Sequence, residues 1–273
     1  MKQHTVQGGG GVRLNVVESG QRGAPSLLFL HGISQGYGAW AGQLDALAER
    51  FHVAAFDLRG HGASEKPFEA AAYHDERLWA EDVRAVMAGL RLTRPVLVAR
   101  SYGGIVALDY LKTFGTEEVA GLVLVAALTN NAVKGAAEHL GEGVEHLKAM
   151  LSPKFDVQFA GARAFVSEST AEPLSSDELT RHLALTMMTP PQVRFNLASR
   201  KVEHRETLQK LDLPVLCIHG ERDRVVRVSS SHHTVAVSPN ALLKLYEEVG
   251  HLPFLEAAER FNQDVREFAV ALT

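Results

Sequence analysis

The segment Ala99-Arg100-Ser101-Tyr102-Gly103 lies between an apolar run, Pro95-Val96-Leu97-Val98, and a helix-like stretch, Gly104-Ile105-Val106-Ala107-Leu108-Asp109-Tyr110-Leu111. That order spells a strand, a sharp turn and a helix. A turn this tight strains the backbone of its central residue and leaves room only for small side chains two positions to either side. Ala99 and Gly103 meet the demand. The Ser101 hydroxyl then stands above the end of the strand. The N–H groups that open the helix, beginning with that of Tyr102, point into the space beside it.

The same alternation continues outward. Apolar runs predict strands at 26–30, 52–57, 95–100, 119–126, 214–219 and 241–247, and helices at 37–50, 76–91, 102–114, 228–237 and 256–271. Strand–helix alternation of this kind builds a parallel sheet with right-handed crossovers, covered on both faces. The strands are continuously apolar, as doubly covered strands must be. Gly8-Gly9-Gly10-Gly11 separates two extended runs, Gln3 to Gln7 and Val12 to Glu18, and predicts an N-terminal hairpin with a flexible turn. After Ala126-Ala127-Leu128 the alternation stops. Helical stretches broken at Ser152-Pro153, Glu172-Pro173 and Thr189-Pro190-Pro191 follow, with a capping box at Ser175-Ser176-Asp177-Glu178 that starts a helix near 176. The expectation is a core domain made of 1–129 and 206–273, with a helical cap, 130–205, inserted in it.

With 46% hydrophobic residues among 273, the chain can build a large core. Its net charge is −4 with both signs dispersed, which argues against a nucleic-acid partner and against a polybasic membrane anchor. Met1-Lys2-Gln3-His4-Thr5 opens without the apolar region of a signal peptide, and apolar runs stop well short of the ~18 residues of a membrane span. The expected setting is cytoplasmic, with a small-molecule substrate as partner and the oligomeric state open. The lone cysteine, Cys217, falls in a predicted core strand and reads as a small buried hydrophobe.

A serine hydroxyl needs a base within hydrogen-bond reach, and that base needs a group to fix its tautomer. Asp223, in Gly220-Glu221-Arg222-Asp223, and His251, in Gly250-His251-Leu252-Pro253, each follow a predicted strand, as Ser101 does. All three therefore converge on the carboxyl edge of the sheet, where open α/β sheets bind ligands. Glu221 is the alternative acid. His31 and His61 read as structural turn histidines. His139, Glu142 and His146 read as a solvated face rather than a metal site, and His232-His233 cannot both face one ion. No Gly-x-Gly-x-x-Gly follows the first parallel strand, so no dinucleotide is implied. Met187-Met188 reads as pocket or core packing.

Taken together, these segments resemble the α/β-hydrolase fold. Ala99–Gly103 resembles its nucleophile elbow, with Ala99 in place of the more usual first glycine. His31-Gly32-Ile33-Ser34 resembles its oxyanion loop, and Asp57-Leu58-Arg59-Gly60-His61-Gly62-Ala63-Ser64 its loop after the fourth strand. The order Ser101, Asp223, His251 is the order this fold uses. The resemblance implies a mostly parallel eight-stranded sheet flanked by helices and a helical cap. It also implies an oxyanion hole from the backbone N–H groups of Tyr102 and Ile33, and no cofactor or metal. Thr189-Pro190-Pro191-x-Val193-Arg194 and Gly250-His251-x-Pro253-Phe254-Leu255-Glu256 are most similar to the cofactor-free haloperoxidase and aryl-esterase group. The expected activity is serine-dependent hydrolysis of a small carboxylic ester, thioester or lactone. Carbon–carbon hydrolases share the triad, and a slowly turning ligand-binding or signalling protein on the same scaffold is a different class of reading. Epoxide hydrolases and haloalkane dehalogenases place an aspartate where Ser101 stands. Arg100 precedes the elbow serine and is expected to be buried. An unpaired buried charge is costly, so a carboxylate should pair with it, Glu256 first. A partly exposed arginine or an anchor for an anionic substrate are the alternatives.

Overall fold

The structure, a computed structural model, describes residues 1–272. Ten strands follow in chain order. They are β1 (Lys2–Gln7), β2 (Arg13–Ser19), β3 (Ser26–Leu30), β4 (His52–Phe56), β5 (Val96–Arg100), β6 (Gly121–Val125), β7 (Asn130–Asn131), β8 (Val202–Glu203), β9 (Val215–Gly220) and β10 (Ala241–Tyr246). Eight of them form one sheet in the order β1-β2-β4-β3-β5-β6-β9-β10. The strands from β4 to β10 in that order run parallel, while β2 joins β4 antiparallel and β1 joins β2 as a hairpin. This is the mostly parallel sheet of the α/β-hydrolase fold.

Alternate residues of the strands feed two cores. Leu28, Leu30, Leu97, Ala99, Leu122, Leu124 and Cys217 pack on one face. Against them lie α3 (Glu76–Leu90) and α4 (Tyr102–Phe114), through side chains such as Trp79, Val83, Ile105 and Leu108. Leu27, Phe29, Val96, Val98, Val123 and Ile218 pack on the other face. There they meet α1 (Ala41–Ala46) and α12 (Ala258–Val270) through Leu44, Phe261 and Val265. Burial on both faces is what the unbroken apolar runs require. Cys217 is a free, buried thiol.

Three expectations are corrected. The predicted helix 37–50 is a 3-10 turn, Tyr37–Trp40, followed by the short α1. Its start is fixed by Asp57 Oδ1, which accepts from the Tyr37 N–H at 2.7 Å. The C-terminal helix begins at Pro253 rather than 256, as α11 (Pro253–Glu256), and breaks at Ala257 before α12. The tetraglycine turn is docked rather than loose. The Gly9 N–H donates to Asp82 at 2.8 Å, and its carbonyl accepts from Arg59 Nη2 at 2.9 Å. A Cβ on Gly9 would stand 2.5 Å from the Leu78 carbonyl oxygen.

The remaining helices are α2 (Ala71–His74), α5 (His146–Met150), α6 (Phe155–Glu168), α7 (Ser176–Met187), α8 (Pro191–Ser199), α9 (Arg205–Lys210) and α10 (Ser229–Val237). α7 starts where the capping box places it, the Ser175 hydroxyl accepting from the Glu178 N–H. The antiparallel ribbon β7–β8 pairs Asn130 with Glu203, so the chain leaves and rejoins the core side by side. Between those points, Met150, Ala162 and Phe165 share an apolar cluster with Ile33, Leu128, Val225 and Val226 of the core. No described helix is long and apolar enough to cross a membrane.

Candidate active site

β5 delivers Ser101 at its carboxyl end in a left-handed conformation, φ 51° and ψ −122°. The turn is held by Ser101 N–H to the Val125 carbonyl at 3.0 Å, and by the Ser101 carbonyl accepting from Gly104 and Leu128. A Cβ on Gly103 would meet the Leu30 and His31 carbonyl oxygens, each at 2.7 Å, which explains the small residue two positions on. The Ser101 side chain is buried and makes no hydrogen bond among the described residues. Neither the Tyr102 N–H, at the first turn of α4, nor the Ile33 N–H donates to a described backbone acceptor. Both residues border the same cavity as Ser101.

β9 ends at Gly220, and the loop beyond it carries Asp223. β10 is followed by the loop carrying His251. His251 Nδ1 and Asp223 Oδ2 are 2.7 Å apart, with both side chains buried. The other Asp223 oxygen accepts from the N–H groups of Val225 (2.8 Å) and Val226 (2.9 Å). Burial opposes ionisation of Asp223, but His251, His219 and these bonds hold its carboxyl well below the usual range. Burial pushes His251 down and Arg100 adds to that, while Asp223 pulls it up; the net shift is downward. Glu221, the alternative acid, is exposed.

His219, the penultimate residue of β9, is a second histidine at Asp223 that no sequence motif marks. Its Nε2 lies 2.8 Å from the Val226 carbonyl and 3.1 Å from Asp223 Oδ2, while Nδ1 meets the Ser231 hydroxyl at 2.7 Å. Nε2 therefore carries the proton, and Nδ1 accepts from Ser231. The only sequence signal was a histidine inside an otherwise apolar strand.

Arg100 is 3% exposed, as expected, but among the described residues no carboxylate forms an ion pair with it; Asp223 and Glu256 act on its charge only from a longer distance. Its Nε is buried without a partner, and the guanidinium lies 5.6 Å from the Phe254 ring centroid. Glu256 is committed elsewhere. Its oxygens accept from the N–H groups of Ala171 (2.7 Å), Gly250 (3.0 Å) and Leu252 (3.1 Å), clamping the loop on both sides of His251.

The turn histidines behave as structural groups. His31 Nδ1 meets the Gly32 carbonyl, and its Nε2 accepts from the Leu58 N–H at 3.0 Å; burial pushes its pKa to about 4. His61, buried beside it, is pushed to about 3. His139 meets the Ser229 hydroxyl and His146 pairs with Glu168, on separate elements. Met187 joins the apolar cluster above the site, whereas Met188 is half-exposed, so only the first packs as expected.

A cavity of about 220 Å³ opens beside Ser101, bordered by Leu128, Val144, Leu147, Phe165, Val225 and Val226 among others. The chain's sequence matches the alpha/beta hydrolase fold family over residues 25–258. It is similar to the non-heme chloroperoxidase CPO-A1 of Kitasatospora aureofaciens, at 28% identity over 94% of this chain and 96% of that one. Its fold superposes on the esterase RhEst1 from Rhodococcus sp. ECU1013 with a TM-score of 0.94, at 32% identity over 100% of both chains. It superposes on a bromoperoxidase from Bacillus anthracis with a TM-score of 0.84, over 98% of this chain and 99% of that one; at 21% identity this is a likeness of fold. The chain belongs to the alpha/beta hydrolase fold family and is a hydrolase, on the side of the family that holds such esterases and haloperoxidases.

Proposed function

We propose that the chain is a serine esterase acting on small, largely apolar carboxylic esters. Ser101 is the nucleophile, His251 the general base and Asp223 the orienting acid. The observation that carries this is the 2.7 Å contact between His251 Nδ1 and Asp223 Oδ2, on loops at the same carboxyl edge of the sheet as a serine held in a strained turn. With Nδ1–H donated to Asp223, Nε2 is the acceptor for the serine proton. A serine–histidine bond that is open without substrate commonly tightens when substrate binds. Attack on the ester carbonyl gives an oxyanion facing the N–H groups of Tyr102 and Ile33. Collapse expels the alcohol, protonated by His251, and water then releases the acid from Ser101. Residues 130–205 act as the cap: Val144, Leu147 and Phe165 supply apolar surface opposite Ser101 and select the acyl chain.

The test is hydrolysis of short-chain p-nitrophenyl esters, with mass spectrometry after exposure to a fluorophosphonate. Ser101→Ala should lose at least about 10³-fold in turnover and all labelling, while keeping the thermal transition. Activity within about tenfold of the parent would exclude Ser101 as the nucleophile.

A further inference from the structure

Asp223 is engaged by three groups besides His251. Its Oδ1 accepts from the N–H groups of Val225 and Val226 at 2.8 and 2.9 Å. Its Oδ2, the oxygen that faces His251 Nδ1 at 2.7 Å, also lies 3.1 Å from His219 Nε2. His219 is wholly buried near the end of β9. Its Nε2 faces two acceptors, Asp223 Oδ2 and the Val226 carbonyl at 2.8 Å, so Nε2 carries a proton. Its Nδ1 lies 2.7 Å from the hydroxyl of Ser231, a buried residue of α10, and accepts from it. A neutral buried imidazole needs one donor and one acceptor as partners. Ser231 and Val226 alone would supply both. The contact with Asp223 is a surplus, and it falls on the one oxygen that orients His251. A donor there has two consequences. It opposes rotation of the carboxylate, which would carry Oδ2 away from His251. It also withdraws charge from that oxygen and so moderates its pull on the imidazolium. The other charged groups acting on the pair are Arg100, at the end of β5, and Glu256 of α11.

We propose that His219 is a positioning residue for the reaction: a neutral imidazole, set by Ser231, whose Nε2–H fixes Asp223 Oδ2 against His251. The kinetic consequence rests on the esterase reading; the coupling of His219 to His251 through Asp223 does not. Val226 closes the arrangement, since its N–H binds Asp223, its carbonyl binds His219, and the residue borders the cavity beside Ser101.

NMR of the histidine nitrogens reads the coupling, and kinetics read its consequence. In the unaltered protein at neutral pH, His219 should be the neutral tautomer with its proton on Nε2. The double variant His219→Leu, Ser231→Ala removes the donor without stranding a hydroxyl. It should lower kcat for p-nitrophenyl butyrate by about tenfold or more, with KM within about twofold of the parent. The acid limb of kcat/KM and the His251 titration seen by NMR should both move upward, by about half a pH unit or more, because Asp223 then holds the imidazolium more strongly. His219→Gln, whose amide reaches the place of Nε2, should recover part of kcat and bring the limb back toward the parent. A proton on His219 Nδ1 in the unaltered protein would overturn the proposal. So would a folded double variant with unchanged kcat, acid limb and His251 titration, even with a lower Tm, which is what a purely structural histidine gives. If the double variant does not fold, His219→Asn, whose shorter amide reaches Ser231 but not Asp223, takes its place under the same criteria. With no ester turnover in the unaltered protein the esterase reading falls, and the tautomer and the His251 titration still decide on His219. Turnover that needs Ser101 but is indifferent to His219 removes the proposal and leaves the esterase reading.

Discussion

At the scale of single residues, the site is defined by which protons its groups hold. Asp223 receives two backbone N–H groups and faces two histidines, so it remains ionised far into the acid range. His251 is buried beside it, and burial together with Arg100 lowers its pKa. As the proposed general base, His251 must be neutral to act, so activity should be present above that pKa and lost as pH falls through it. The acid limb of kcat/KM should therefore inflect below the ordinary histidine value of about 6.5. A limb at or above that value, read with a non-ionising ester, would contradict the assignment. Arg100→Gln should move the limb upward, because it removes a cation that disfavours the imidazolium. Asp223→Asn should cost up to about 10⁴-fold in kcat, since the amide neither stabilises the imidazolium nor selects its tautomer. The positions of Ser101, Asp223 and His251 at the carboxyl ends of strands were legible in the sequence, because each follows an apolar run. The contact of His219 with Asp223 was not, since it depends on the loop turning back over the end of β9. The pairing of Arg100 with Glu256 failed for a related reason: a pattern of charges does not reveal that backbone N–H groups have already claimed a carboxylate.

At the scale of elements, long strands and helices were legible and short ones were not. The runs that became β3, β5, β6 and β9 are almost wholly apolar because two cores press on them. The 37–50 stretch misleads because its start is set by Asp57, twenty positions away, rather than by its own periodicity. The loop after β10 is similar: α11 is four residues long, and Glu256 at its end turns back to accept from Gly250 and Leu252. That carboxylate also reaches Ala171, joining the His251 loop to residues 130–205. Glu256→Ala would strand three partly buried N–H groups, each worth about 1–3 kcal/mol. It should lower Tm and also reduce kcat, because His251 would no longer be fixed from both sides. Loss of stability with unchanged kcat would show that Glu256 supports the fold without positioning the histidine.

At the scale of the molecule, the question is what ties the segment 130–205 to the rest of the fold. The ribbon β7–β8 closes its neck, and Arg194 ties its interior together. Arg194 donates to the Met150 carbonyl (2.8 Å), the Thr186 carbonyl (2.6 Å) and the Ser34 hydroxyl (3.1 Å), so one side chain spans two parts of the segment and the core. Where the segment ends, Arg200 Nη2 meets Asp109 of α4 at 2.7 Å, and His204 meets the other Asp109 oxygen at 3.1 Å, all buried. Arg200 also lies 5.4 Å from the Trp79 ring centroid, with Arg59 5.5 Å from the same centroid. Since α4 begins at Tyr102, this buried group links the return of the segment to the helix that follows Ser101. Removing one partner leaves a buried charge uncompensated, so Asp109→Leu or Arg200→Met alone should cost about 3–5 kcal/mol. Replacing both together should cost much less than the sum, because no lone charge remains. A double-mutant cycle by urea denaturation measures the difference; additivity to within about 0.5 kcal/mol would show that the two residues act independently. The single variants should also raise KM for esters with bulky acyl groups more than for acetyl esters, because the segment that walls the cavity is then less firmly seated. An equal rise for every acyl length would confine the role of the pair to global stability.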